Sequence, residues 1–339
     1  MVQGESVQKK INQAEKVSYY IIFGAIVLVG WLHLAVPLLA ILFAYLALSK
    51  LYLFRQWRRW PAVIIFLIFL AGAAYGLGAV INEAVQTLPD VADQALPKIT
   101  QWAKQHNIEL PFTDFDSLKD LISDTIKAQA HYIGSAAKIA RGASTEFAFL
   151  LIGLVVAISV FLNPRIELDR KTNMPPKNLY SCCCDEIAAR FETFYSSFAT
   201  VMGAQIVISA INTVLTTFFV LIVRLPHAIV VIGLTFLCGL LPVIGNLISN
   251  TIILGIAFTV SPGRALAALI FLILVHKLEY FLNGKIIGGR INNPMWLTLL
   301  ALILGEKLMG IPGMILAPVV LHYIKVEAGR WPCTTKLGP

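Results

Sequence analysis

The chain has 339 residues, of which 58% are hydrophobic and only 14% charged, and its formal net charge is +8. A soluble domain carries about 25% charged residues, and no short alternating strands indicate a barrel, so neither a water-soluble globule nor a β-barrel is expected. Apolar runs reach the roughly 20 residues that span a bilayer, which predicts an all-α polytopic membrane protein with about eight hydrophobic segments. The basic residues cluster beside those runs, as the positive-inside rule requires, so the expected partner is the lipid bilayer and not nucleic acid.

Residues 1–83 read as a polar tail and three transmembrane helices. Val17 to Leu34 and Val36 to Phe54 form a hairpin whose outer turn lies near His33 to Pro37. Lys9, Lys10 and Lys16 before it, and Lys50, Arg55, Arg58 and Arg59 after it, draw both flanks to the cytoplasm. The first apolar stretch is too long for a signal peptide, and none is expected. Pro61 to Val80 is the third span, where Gly72 and Gly76 make a small-residue face for helix packing within or between protomers.

Residues 84–145 read as a small extracytoplasmic domain of two amphipathic helices. Leu88, Val91, Ile99 and Trp102 mark the first. Leu118, Leu121, Ile122, Ile126 and Ile133 mark the second, with Asp116 as its N-cap and a turn at Asn107 to Thr113. Residues 146–199 hold the fourth span and an interfacial amphipathic helix carrying Tyr180, Ile187, Phe191, Phe194 and Phe198 on one face. The five cysteines, three of them at Cys182 to Cys184, lack paired zinc spacing and read as free thiols.

Residues 200–326 read as a transport core, followed by a cytoplasmic tail at 327–339. In the span from Thr200 to Val223, Gln205, Ser209, Asn212, Thr213 and Thr216 form a polar stripe that either bonds neighbouring helices or lines a pathway. Two apolar segments, 226–260 and 294–326, are broken in the middle. The first break holds Pro242, Gly245 and Asn246, and the second holds Gly305, Glu306, Lys307, Gly310, Pro312 and Gly313. Proline and glycine interrupt helices, and paired interrupted segments point to a transporter's binding site. Arms of about 11 to 15 residues reach roughly 17 to 23 Å against a hydrocarbon core of about 30 Å, which favours re-entrant hairpins in an inverted-repeat layout, with two tilted spans the alternative for the first segment and one kinked span for the second. Arg224 and Arg264 are then expected together at the ends of the first. The intervening span, Ala265 to Phe281, leads into Asn283 and carries His276, Lys277 and Glu279. A carboxylate is expensive in lipid, so Glu279 is either a proton or cation site or an internal ion pair with Lys277 or Lys285. Asn246 and Asn250, one turn apart, could offer amides to a polar solute.

These residues resemble the autoinducer-2 exporter family of bacterial inner-membrane permeases. The resemblance rests on Leu241-Pro242-Val243-Ile244-Gly245, on Leu278-Glu279 leading to Lys285-Ile286-Ile287-Gly288, on Pro294, and on Gly305…Gly310-Ile311-Pro312-Gly313…Ala317-Pro318. His276 and Gly284 depart from residues common in that family. The resemblance implies a transporter in a family associated with export of a small polar signalling molecule and with sodium/proton exchange, and it leaves the solute open. The expectation is a secondary transporter of a small polar solute or signalling molecule in the inner membrane, with H+ or Na+ as coupling ion, no cofactor, and a homo-oligomeric state. The absence of a P-loop argues against ATP hydrolysis by this chain, and no HExxH or GxSxG motif points to an enzyme. An oligomeric pore and a membrane scaffold acting through residues 84–145 are the alternatives.

Overall fold

The computed structural model describes residues 13–52, 59–107, 136–163, 179–242, 244–282 and 294–330, and these contain helices and no strand. In chain order the helices are α1 (Gln13–Trp31), α2 (Ala35–Leu51), α3 (Trp60–Gln105), α4 (Ala136–Leu162), α5 (Leu179–Val223), α6 (Ala228–Gly239), α7 (Ile244–Val260), α8 (Pro262–Leu282) and α9 (Met295–Ala328). Among the described residues, 5 helices are long and apolar enough to cross a membrane. Large apolar side chains such as Phe69, Val155 and Ile222 lie exposed on them, as lipid contact requires. This is an all-α, multi-pass membrane protein.

The chain divides into two compact units. The first takes Met1–Leu46, Ile152–Ala199 and Pro294–Pro339. Its core joins α2, α4 and α5 through aromatic edges: Phe43 on Phe198 at 5.0 Å, Tyr45 on Tyr195 at 4.9 Å and Tyr45 on Phe161 at 6.4 Å. Gly153 lets α4 touch α2, since a Cβ there would lie 2.7 Å from the Pro37 carbonyl oxygen. The turn between α1 and α2 runs through His33, which has a left-handed φ of 52° and is exposed.

The last helix of this unit is a hairpin. Gly310 has φ 64° and ψ −147°, far from helical values. A Cβ on Gly313 would lie 1.9 Å from the Gly305 carbonyl oxygen, and one on Gly305 would lie 3.2 Å from the Ala317 Cβ. Residues 12 apart in a straight helix stand about 18 Å apart, so the chain folds back at Gly310. Leu302 packs with Met314 and Ala317 across the fold.

The second unit takes Ala47–Leu151 and Thr200–Asn293. Here α6 and α7 pack against each other, α7 packs on α8, and α3 packs on both α6 and α7. Val91, Val220, Val231, Ile253, Ile256, Ala268 and Leu272 form the core. Gly233 brings α6 onto α3, where a Cβ would meet Val80 Cγ2 at 2.5 Å. The ends of the first broken segment meet as expected: Arg264 Nη1 donates to the Arg224 carbonyl oxygen at 3.1 Å.

Two expected boundaries are not breaks. The helix α3 continues through residue 84 for 46 residues, about 69 Å, with Pro89 and Pro97 inside it. Its distal half buries Ala84, Thr87, Val91, Ala95 and Thr100 at helical spacing, so it packs as part of the second unit rather than standing as a separate helical domain. The turn begins at Asn107 (φ 54°), while the second amphipathic helix and its cap Asp116 lie outside the described residues, apart from the start of α4. Likewise, the interfacial segment and the fifth span form one 45-residue helix, α5. The composition changes at both places, but the helix continues through each, and through Pro89 and Pro97, each of which removes one N–H from the ladder of α3.

Candidate functional site

The first break places polar groups from four helices around one cleft in the second unit. The chain leaves α6 after Gly239, and the Leu241 N–H donates to the Cys238 carbonyl oxygen at 2.8 Å. The half-buried Pro242 follows, its carbonyl accepting the Ile244 N–H at 2.7 Å. Gly245 has no room for a side chain, since a Cβ would lie 1.7 Å from the Cys238 carbonyl oxygen. This tight reversal sets Asn246 on the first turn of α7.

Helix α5 secures the reversal from the side. Gln205 Nε2 donates to the Gly239 carbonyl oxygen at 2.6 Å, and Ser209 Oγ to the Phe236 carbonyl oxygen at 2.7 Å. The last carbonyls of a helix have no partner within it, and in an apolar surrounding each unpaired one is costly. The polar stripe on α5 therefore has two roles. Gln205 and Ser209 bond the break, while Asn212 and Thr216, one and two turns further on, line the cleft. Thr213 bonds back to its own helix at the Ser209 carbonyl, 2.8 Å away.

Glu279 on α8 is the centre of the cleft. Asn246 Nδ2 donates to both its carboxylate oxygens at 2.8 Å, and Asn212 Nδ2 reaches Oε2 at 3.4 Å. His276 Nδ1 lies 3.9 Å from Oε2. The Glu279 side chain is 13% exposed and that of His276 70% exposed. Lys277 is exposed and, among the described residues, makes no ion pair with Glu279, whose partners are amides. Lys285 and Asn283 lie outside the described residues. Asn212 is 6% exposed, and its Oδ1 is buried without a hydrogen-bond partner, an acceptor left open beside the carboxylate.

Asn212, Asn246, Asn250 and Glu279 thus converge, while Gln205, Pro242 and Gly245 shape the turn behind them. The second-break residues are not among those lining this cleft. Gly305 and Gly313 supply the close approach in their own hairpin and Gly310 the turn. Glu306 and Lys307 are exposed, 3.6 Å apart, and Pro312 is half-buried. Thr235 and Ser249 also line the cleft and were not singled out from the sequence. Ser249 sits three residues after Asn246, on the same face, which was the available signal.

The family described as AI-2E family transporter matches residues 17–332. The chain is also 30% identical over 142 residues to "Putative transport protein YdbI" of Bacillus subtilis (strain 168). That match covers 41% of this chain and 41% of the relative, so it spans well under half of the curated protein. The family match extends over nearly all the described helices, both broken segments included, and the chain belongs to the AI-2E transporter family.

Proposed function

We propose that this protein is a permease that moves a small polar solute, of the autoinducer-2 class of signalling molecules, through the cleft beside the first break. The observation that carries this reading is Glu279: a carboxylate held by two amides, inside a helical bundle, lining a polar cleft between four helices. Ionisable groups within membrane helices mark solute and ion paths. The cleft is rich in acceptors, with a carboxylate, the open Asn212 Oδ1 and the Thr216, Thr235 and Ser249 hydroxyls, so it suits a solute that presents O–H or N–H donors. Interrupted helices beside such groups are how transporters build sites at membrane depth. The distribution of lysine and arginine supports a bacterial plasma membrane location with both termini in the cytoplasm. Transport draws on an ion gradient, with H+ or Na+ as the coupling ion.

The test is autoinducer-2 accumulation in everted membrane vesicles, with and without a protonophore or a sodium gradient. The expected result is saturable, gradient-dependent uptake that Glu279→Gln reduces to a tenth or less. Uptake unchanged by that substitution removes the cleft from the pathway, and linear uptake indifferent to both gradients makes the protein a pore.

A further inference from the structure

Glu279 has a second neighbour whose role the transport reading leaves open. His276 stands one turn earlier on α8, on the same face, with Nδ1 3.9 Å from Glu279 Oε2. At that distance a neutral imidazole is beyond hydrogen-bond reach of the carboxylate. An imidazolium at the same place attracts it strongly. The ring is 70% exposed, while the carboxylate beside it is 13% exposed and held by the amides.

The other groups facing this pair are neutral. They are Asn212 and Thr216 from α5, Thr235 from α6, and Asn246, Ser249 and Asn250 from α7. Lys277 is next to His276 but exposed, and no ion pair joins it to Glu279 among the described residues. Among the residues lining the cleft, charge can therefore change only at Glu279 and His276.

We propose that His276 is a proton-operated competitor for the Glu279 carboxylate: when its imidazole takes up a proton, it withdraws the negative charge of the cleft from the solute. This rests on the reading of the cleft as the solute site and adds the sense of proton linkage. With the ring neutral, Glu279 is available to donor-rich or cationic solutes. With the ring protonated, the imidazolium pairs with Glu279, and solute and proton exclude each other from one site. Mutual exclusion of this kind links solute release on the acidic side to solute capture on the alkaline side.

The test measures the charge of the cleft without needing the solute. A thiol is introduced by Asn250→Cys in the full-length protein with its five native cysteines replaced. Its reaction rates with a cationic reagent, trimethylammonioethyl methanethiosulfonate, and with the neutral hydroxyethyl analogue are compared. The same thiolate attacks both reagents, displacing methanesulfinate from each, so their ratio cancels the thiol's own titration. The expected ratio is high at pH 8 and falls about tenfold by pH 5. It stays high across that range with His276→Gln, and low across it with His276→Lys or Glu279→Gln. A pH-independent ratio that still collapses with Glu279→Gln overturns the competitor role and leaves the cleft reading standing. A ratio indifferent to Glu279→Gln, or a thiol that reacts with neither reagent, overturns the cleft reading and the competitor with it.

Discussion

Asn246 Nδ2 donates to both carboxylate oxygens of Glu279 at 2.8 Å, joining the first turn of α7 to the far end of α8. The two residues are 33 positions apart, and the contact exists because the chain reverses at Gly245. The pair should act as a unit. Asn246→Ala and Glu279→Gln are each expected to lower flux at least tenfold, and the double variant should lose little more than either alone. Initial rates in vesicles check this, and additive losses would separate the two residues.

Gly245 is expected to tolerate no side chain. A Cβ there would meet the Cys238 carbonyl oxygen at 1.7 Å, and backbone cannot swing aside as a long side chain can. Gly245→Ala should destabilise the protein by about 3 kcal/mol or more, or prevent its accumulation. Gly255→Ala is the control: its Cβ would touch only Val91 Cγ1 at 3.8 Å, and it should be neutral or stabilise by about 0.5–1 kcal/mol. Thermal melts in detergent distinguish the two.

In the other unit, Gly313→Ala should be severely disruptive, because its Cβ would lie 1.9 Å from the Gly305 carbonyl oxygen. Gly310→Ala meets no neighbour, but it forces an L-residue to φ 64° and ψ −147°, at about 1–3 kcal/mol. The expected order of melting temperatures is wild type, Gly310→Ala, Gly313→Ala.

Gln205 and Ser209 hold the last carbonyls of α6. Removing either donor leaves a carbonyl unpaired, at about 1–3 kcal/mol. Gln205→Ala and Ser209→Ala should both lower the melting temperature and increase hydrogen exchange at residues 236–242, with α9 unaffected. Unchanged exchange there would show that the break does not depend on α5.

The N-terminal halves of α1 and α5 and the last turn of α9 meet in a buried charged cluster. Glu327 accepts from Tyr19 Oη at 3.1 Å and from Arg330 Nη1 at 3.0 Å, while Arg190 lies over the Tyr19 ring at 3.9 Å and donates to Glu186 at 2.9 Å. Arg190 is 4% exposed and Glu327 5% exposed. Breaking a buried pair from one side strands the other charge, at about 3–5 kcal/mol. Glu327→Ala should therefore destabilise by that order, whereas Lys307→Ala, whose exposed partner is Glu306, should change stability by less than about 0.5 kcal/mol.

Much of this architecture is legible in the sequence because lipid imposes a simple rule. Apolar runs of bilayer length must be helices, and prolines and glycines must mark where those helices stop, as they do at Pro242-Gly245 and at Gly310. The helices run on through residues 84 and 200, although the two compact units divide between Ala199 and Thr200. Composition changes there, but a change of composition does not end a helix, and α3 runs on even through Pro89 and Pro97.

The sequence alone determined that the chain is helical, crosses a membrane several times, and carries two interrupted segments, because hydropathy and helix breakers act locally. It also pointed to Glu279, since a carboxylate inside an apolar span is conspicuous. Only the tertiary structure decided that Asn246 and Asn212, rather than Lys277, meet that carboxylate. It alone separated Gln205 and Ser209, which hold the break, from Asn212 and Thr216, which face the cleft. Those assignments depend on which faces of α5, α7 and α8 pack together, and that is set by close approaches such as Gly239 against Ser209, which no local pattern encodes.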